Sequence, residues 1–374
     1  MLEDRGNGFF AWNGNIYKSD IVRAAIRPKV RAIGKTTAKH VRKDHNGIKI
    51  NPEPYIRILL EEPNPLMTMQ QLLERTITHL ELNNNAFIFI ERDEYKYPTG
   101  LYPINSNSVE LISDGNGYLF YRFSLKGGKT VTFKHEDVIH VSKDYNENEY
   151  FGENNAESLA PLMEIVTTAD QGIVKAIKNS NVIKWLLKFN QTMRPEDIEE
   201  QTKKFTQAFL SSESETTGAA GVDAKFDATQ VDPKDYVPHE NQLKNTEKRI
   251  HAYFNTNEKI ITSSFNENEW ISYFENVIEP DIVQLSNLFT KKLFTKKERA
   301  FGNRIYFEAS NLEFASLATK MQYVSMGIDR GYLNRNEGRD VFKLAPIEGG
   351  DEYIHRLDLG NPTGTKSDQV KGGE

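Results

Sequence analysis

Residues 161–177 read PLMEIVTTADQGIVKAI. Leu162, Ile165, Val166, Ala169, Ile173 and Ile177 recur every three to four residues, so they form one apolar stripe along about four turns of helix. A second helical face, Leu243, Thr246, Ile250 and Phe254, follows well downstream. The residues between read differently. Residues 182–189 (VIKWLLKF) set Ile183, Trp185, Leu187 and Phe189 on one face of a strand. Pro195 suits the first turn of a helix, where Glu196, Asp197, Glu199 and Glu200 meet the positive end of its dipole. Ile198, Phe205 and Phe209 line that helix, and residues 211–221 (SSESETTGAAG) form a flexible polar loop. Two long helices around a compact α+β insert describe an elongated molecule better than a globule.

Upstream of residue 152 the period changes to two. Strands are expected at 86–92 (AFIFIER), 109–112, 118–125 (YLFYRFSL), 131–133 and 137–141 (DVIHV), with turns at Asp114 to Gly117 and at Gly127 and Gly128. Thr68 and Gln71 form a capping box, and Leu72, Leu73, Ile77 and Leu80 give the helix behind it one buried face. Asn83, Asn84 and Asn85 end that helix. Ile21, Val22, Ala25 and Ile26 mark an earlier helix that Pro28 kinks or interrupts. Downstream, residues 262–269 (TSSFNENE) are a polar break. Trp270, Phe274, Val277, Ile278, Leu285, Leu288 and Phe289 then mark a long helix kinked at Pro280. A strand at 304–307 and two helices within 313–345 follow, and the Gly-rich end frays beyond Gly360. The fold class is α+β.

Lys and Arg total 47 against 53 Asp and Glu, a net charge of −6. That excludes a generally basic nucleic-acid coat, though not a local basic patch. Cysteine is absent, which removes disulfides, thiolate metal sites and cysteine nucleophiles. The N-terminus lacks the apolar core of a signal peptide, and the strongest uncharged apolar run, residues 86–90, has five residues. A soluble, intracellular protein with no membrane partner is expected.

The catalytic motifs fail one by one. Gly34, Lys35 and Thr36 resemble the end of a phosphate-binding loop, but its leading glycine is replaced by Lys29, so this reads as an exposed connector. His135, Glu136 and His140 resemble a zinc-protease motif with histidines five apart rather than four, in a β context; His140 reads as a strand residue. Asp223, Asp227, Asp232 and Asp235 fit no calcium loop and read as a solvated face. His79, His239 and His251 have no partner that singles them out as bases. No catalytic residue, metal site or cofactor is expected. Ser263, Ser264, Asn266 and Asn268 are neutral donors that can touch phosphates briefly, although residues 262–269 also read as an ordinary helix connection.

Several segments in order resemble the portal, or head–tail connector, proteins of long-tailed bacteriophages. Residues 59–68 (LLEEPNPLMT) resemble the family's N-terminal signature, and Asn84, Asn85, Ala86, Phe87 and Ile88 its strand entry. Asp137 to His140, Gly152 and residues 158–162 (SLAPL) match the approach to its long helix. Residues 331–339 (GYLNRNEGR), then 346–351 (PIEGGD), resemble its C-terminal turn and helix. The sequence departs from the family where a proline-containing turn is replaced by residues 257–261 (NEKII).

The resemblance implies an elongated portal fold with wing, two-helix stem, small α+β clip and short helical crown. It places the wing at 1–155, the stem helices at 156–180 and 241–256, and the clip at 181–240. The tunnel-loop region falls at 257–270, a wing helix and strand at 271–313, crown helices at 314–345 and a flexible tail at 346–374. It implies a ring, a dodecamer, at one capsid vertex, with double-stranded DNA passing through. The implied partners are the terminase large subunit, a head–tail adaptor, and the major capsid and scaffold proteins. The implied location is the virion, and the host cytoplasm during assembly. Ser263, Ser264, Asn266 and Asn268 would face the DNA, and Leu162, Val166, Ala169, Ile173 and Ile177 would form a seam between subunits. Twelve copies would carry about −72 in total, suiting a conduit that must not grip DNA. The alternative, from a different class, is a metal-dependent nucleic-acid-processing enzyme. A smaller-ring adaptor or scaffolding protein fits the length and C-terminal motifs less well.

Overall fold

The computed structural model describes residues 8–10, 16–44, 47–179, 185–189, 192–209, 226–230, 240–309 and 317–353. The expectations for 182–184, the loop at 211–221, Asp223, Asp232, Asp235, His239 and the end of the tail lie outside these residues. The chain divides into two compact units, one made of Met1–Asn155 with His251–Glu374 and the other of Ala156–Ile250.

In the first unit, α1 (Asp20–Gly34) packs on α3 (Met69–Asn83). Pro28 does not interrupt α1, which runs on to Gly34. Val22, Ile26, Val30 and Ile33 continue its buried face through the proline, and their burial outweighs one lost backbone bond. Gly34 and Thr36 are buried, so the expected exposed connector is instead a packed helix end with only Lys35 exposed. The Thr36 hydroxyl donates to the Ile33 carbonyl at 2.7 Å. At the start of α3 the Gln71 amide donates to Thr68 Oγ1 and the Thr68 amide to Gln71 Oε1, the expected capping box. Asn84 closes the helix in the left-handed region at φ 55°.

Three antiparallel sheets belong to this unit. One has the order β5 (Pro98–Ile104), β4 (Asn85–Arg92), β9 (Val138–Ser142). Another runs β1 (Gly8–Phe10), β6 (Ser106–Ser113), β7 (Leu119–Leu125), β8 (Thr130–Lys134). The third has the order β12 (Asn303–Glu308), β2 (Thr37–Asp44), β3 (Gly47–Ile50). Side chains of the first two sheets, joined by Phe151 from the segment after β9, share a largely aromatic core of Phe87, Val109, Leu111, Tyr121, Phe123 and Val138. Phe87 stacks on His140, its partner in register, with ring centres 4.5 Å apart.

A short α2 (Pro54–Glu61) precedes α3. After residue 251 come α7 (Glu258–Ile261), α8 (Glu267–Tyr273), α9 (Glu279–Leu293) and α10 (Lys296–Ala300). A π-turn at Phe274–Ile278 joins α8 to α9 immediately before Pro280. Pro280 has no N–H to offer the carbonyl of Asn276, so the register slips there, and the expected kink takes this form. The last helices are α11 (Leu317–Asp329) and α12 (Arg335–Val341).

The second unit holds α4 (Ala156–Asn179), α5 (Pro195–Phe209) and most of α6 (Glu240–Tyr253). Its antiparallel pair is β10 (Trp185–Phe189) with β11 (Phe226–Gln230). The second long helix stops three residues short of the expected 256, because Asn255 turns the chain at φ 51°.

Candidate functional site

The point where the chain enters α4 is built from backbone and amide groups. Asn85 Nδ2 donates to the Gly152 carbonyl at 2.8 Å while the Gly152 amide donates to Asn85 Oδ1 at 2.9 Å. Asn84 Nδ2 donates to the Glu153 carbonyl. Asn155, the residue before α4, donates to the Glu81 carbonyl and accepts from the hydroxyl of Tyr253, the last residue of α6, at 2.7 Å. A Cβ on residue 152 would stand 2.1 Å from the Lys143 carbonyl oxygen, so only glycine allows this approach. The consecutive asparagines and Gly152 thus have one physical role, tying the segment before residue 155 back to the end of α3 and the start of β4.

Behind this junction lies a cluster that sequence reasoning missed. Lys29 Nζ stands 2.8 Å from both Glu81 and Asp281, and Lys143 Nζ stands 2.7 Å from Glu81. Burial pushes Glu81 up, but Lys143 and Lys29 outweigh it and hold its carboxyl below the usual range. Asp281 has one lysine, and there burial wins and raises it. Burial alone would lower Lys29, yet its two carboxylates hold it above the ordinary lysine value. The signal was present in sequence: Glu81 continues the row Leu73, Ile77, and Lys29 sits in the row Val22, Ile26, Ile33. A charge in an apolar row needs a buried partner.

The polar break is shorter than the sequence suggests. Ser263, at φ 58°, and Ser264 lie in the turn, whereas Asn266 caps α8 and Asn268 is inside it. Asn266 Oδ1 accepts from the Glu269 amide at 2.9 Å, so its side chain is engaged in structure. All four expected DNA-facing residues are exposed. Lys259 pairs with Glu269 across the turn, and Phe265 stacks on Trp270.

Of the expected seam, Leu162 and Ala169 are buried at 6% and 5%, Val166 and Ile173 are half-buried, and Ile177 is 67% exposed. Ile165 and Val174, 46% and 48% exposed, flank that stripe on its two sides. At about 100° per residue they stand roughly 60° and 120° from Leu162 in opposite senses.

Near the C-terminus, Asn334 and Glu337 form a capping box on α12. Asn336 exchanges bonds with Ile347 and donates to Asp351, folding the following segment back onto the helix. A Cβ on Gly338 would stand 2.9 Å from Val324, which explains the small residue in that turn.

His140 lies on a strand and His135 in a 3-10 turn, so no helix pairs them. Among the described residues no group of three or more His, Asp or Glu could hold a metal ion, and no helix is long and apolar enough to cross a membrane. Burial, helped by Lys292, lowers His140 to about 3; burial with Lys292 and Lys291 lowers His135 to about 4; and burial with Lys126 and Arg75 lowers His79 to about 4. These rings are neutral in the fold and titrate near 6.5 when unfolded. Between pH 6.5 and 4 the unfolded chain therefore binds more protons, so stability is full above 6.5 and falls as pH drops. His140 alone contributes about 1.4 kcal/mol per pH unit in that window. Urea unfolding at pH 7.5 and at pH 5 is expected to show a clear loss at pH 5.

The fold has counterparts among solved structures. The chain superposes on a chain in the neck of an empty gene transfer agent particle computed with C6 symmetry, at TM-score 0.69 and 14% identity, covering 93% of this chain and 98% of that one. The neck of a native particle computed with C12 symmetry gives TM-score 0.63 at 14% identity, over 92% and 97%. An HK97 family phage portal protein from Corynebacterium diphtheriae gives 0.51 at 12% identity, over 82% and 98%. In sequence, residues 20–342 match the family described as phage portal protein. The chain belongs to the phage portal protein family. A protein of Lactococcus phage p2 named "Probable portal protein" is 23% identical over 234 residues, which span 60% of this chain and 58% of that relative. A protein of the same name in Lactococcus phage SK1 matches equally.

Proposed function

We propose that copies of this chain form a ring, a dodecamer, at one vertex of a phage capsid. The ring is the channel for double-stranded DNA in packaging and ejection. It also docks the terminase large subunit and head–tail adaptors, meets the major capsid and scaffold proteins during assembly in the host cytoplasm, and has no catalytic activity of its own. The observation that carries this reading is the likeness, over more than nine-tenths of the chain, to a component of a neck computed with twelvefold symmetry. A closed ring of identical subunits uses two different patches on each copy. Ile165 and Val174, exposed on opposite flanks of α4, supply apolar surface for such patches. In this reading 1–155 with 271–313 is the wing, 156–180 and 241–256 the stem, 181–240 the clip, 314–345 the crown and 346–374 the tail. The turn bearing Ser263 and Ser264, with Asn268 behind it, faces DNA as neutral donors that release few counterions and so let the duplex slide.

Negative-stain microscopy with native mass spectrometry tests this. Annular particles with a central hole are the expected result. Only isolated compact particles under every assembly condition would overturn the ring, and cleavage of duplex DNA on adding Mg²⁺ or Mn²⁺ would overturn the non-enzymatic assignment.

A further inference from the structure

The chain is net acidic, yet α1 and α3 enclose a basic groove of about 980 Å³. Arg23, Arg27, Arg31, Arg75, Lys18 and Lys126 line it. All six are exposed, and among the described residues no ion pair holds any of them. The lining contains one carboxylate, Glu74, and its Oε1 accepts from Gln70 Nε2 at 2.9 Å rather than from an arginine. The floor is apolar, with Ile26 and Val30 buried and Leu82 half-buried.

Arg23, Arg27 and Arg31 follow one another at i, i+4 and i+8, so their bases rise along α1 in steps of about 6 Å. Like charges at this spacing repel and disfavour the helix that carries them. Folding gives no reason for such a row, whereas an anionic partner does. Two arrangements of negative charge compete. Duplex DNA leads with phosphates and keeps its apolar groups inside its grooves, so it offers little to the apolar floor. An amphipathic helix with carboxylates at i and i+4 repeats the same rise of about 6 Å, and its apolar stripe meets the floor.

We propose that this groove is a docking site for an acidic amphipathic peptide segment of a partner protein, its carboxylates on the arginine row of α1 and its apolar side chains on Ile26, Val30 and Leu82. The groove lies wholly within the first unit and uses no residue of α4, so the proposal stands independently of the ring.

The test uses the full chain and a fluorescein-labelled peptide of about 18 residues with glutamates at i and i+4 flanking leucines, read by anisotropy. Saturable binding is expected, weakening steeply between about 50 and 300 mM NaCl as the charges are screened. Arg27→Glu with Arg31→Glu is expected to weaken it at least about tenfold, and Arg27→Lys with Arg31→Lys no more than about threefold. Arg75→Glu with Lys126→Glu, on the opposite wall, repeats the loss if the first pair disturbs α1, with circular dichroism as the check on folding. A matched peptide with lysine for glutamate is expected not to bind. The proposal is overturned if the acidic peptide does not bind or binds both charge-reversed variants as well as the parent. It is equally overturned if a labelled 20-base-pair duplex binds in the peptide's place with the same arginine dependence. A change of oligomer size in the variants would assign the groove to a second copy of this chain and overturn it too.

Discussion

Replacing Lys29 by Met is expected to destabilise the first unit by about 3–5 kcal/mol, the cost of leaving buried charge without its partner. The Lys29 side chain is 7% exposed and meets Glu81 and Asp281, whose side chains are 1% and 13% exposed. Methionine matches much of the lysine stem, so little packing is lost and the effect is chiefly electrostatic. Lys143 still serves Glu81 in the variant, which leaves Asp281 as the uncompensated group. Asp281 already sits above the ordinary aspartate range because burial outweighs Lys29. Without Lys29 it rises further and takes up a proton as pH falls, which removes the unpaired charge. The stability gap between variant and parent is therefore expected to narrow from pH 8 to pH 5, while the histidine contribution, common to both, cancels. Adding Asp281→Asn should recover part of the loss at pH 8. Denaturant unfolding of the three proteins at both pH values measures this. A gap below about 1 kcal/mol, the range of an exposed pair, would show that the cluster is hydrated in solution.

The same cluster shows where sequence reading reaches and where it stops. The capping box at Thr68, the strand 85–92, the aromatic β region and the long helix 156–179 were legible because each is written in local periodicity or end chemistry. The strand Pro98–Ile104 was not, since Pro98, Gly100 and Pro103 argue against it; pairing with β4 on one side supplies the bonds that propensity does not. Thr37–Asp44 escaped because Lys39, Arg42, Lys43 and Asp44 break any alternation and His40 is its single buried residue, and β12 and β3 hold it in place from distant or adjacent sequence. The α2 helix escaped because it is only eight residues long and Glu53 before it makes no capping bond, so neither a long period nor end chemistry announces it. At the candidate site, the asparagines and Gly152 were recognisable as a pattern, but their reason, a carbonyl 2.1 Å from an added Cβ, is a contact across distant sequence. The basic groove was invisible for another reason. Its cations come from the 3-10 turn before α1, from α1 and α3, and from the turn before β8, and whole-chain charge averages them away.

Introducing Asp at both Ile165 and Val174 is expected to abolish rings while leaving helical content nearly unchanged. Both side chains are about half exposed, so within one chain the carboxylates reach water and the helix tolerates them. Leu162 and Ala169, which carry the buried part of the stripe, are untouched. If copies pack side by side along α4, each interface would bury an aspartate from one or both flanks. An uncompensated carboxylate there costs about 2–3 kcal/mol or more per contact. A closed ring repeats every contact, so in an assembly of about twelve the penalties sum to roughly 25–35 kcal/mol, beyond what the remaining surface recovers. Assembly should therefore fail as a whole rather than weaken by degrees. Native mass spectrometry is expected to find monomers or short arcs, and circular dichroism an unaltered helix signal. Ile165→Val with Val174→Ile, which keeps the flanks apolar, should still form rings. Rings of unchanged mass from the aspartate variant would place the subunit contacts on another face of the chain and free α4 from that role.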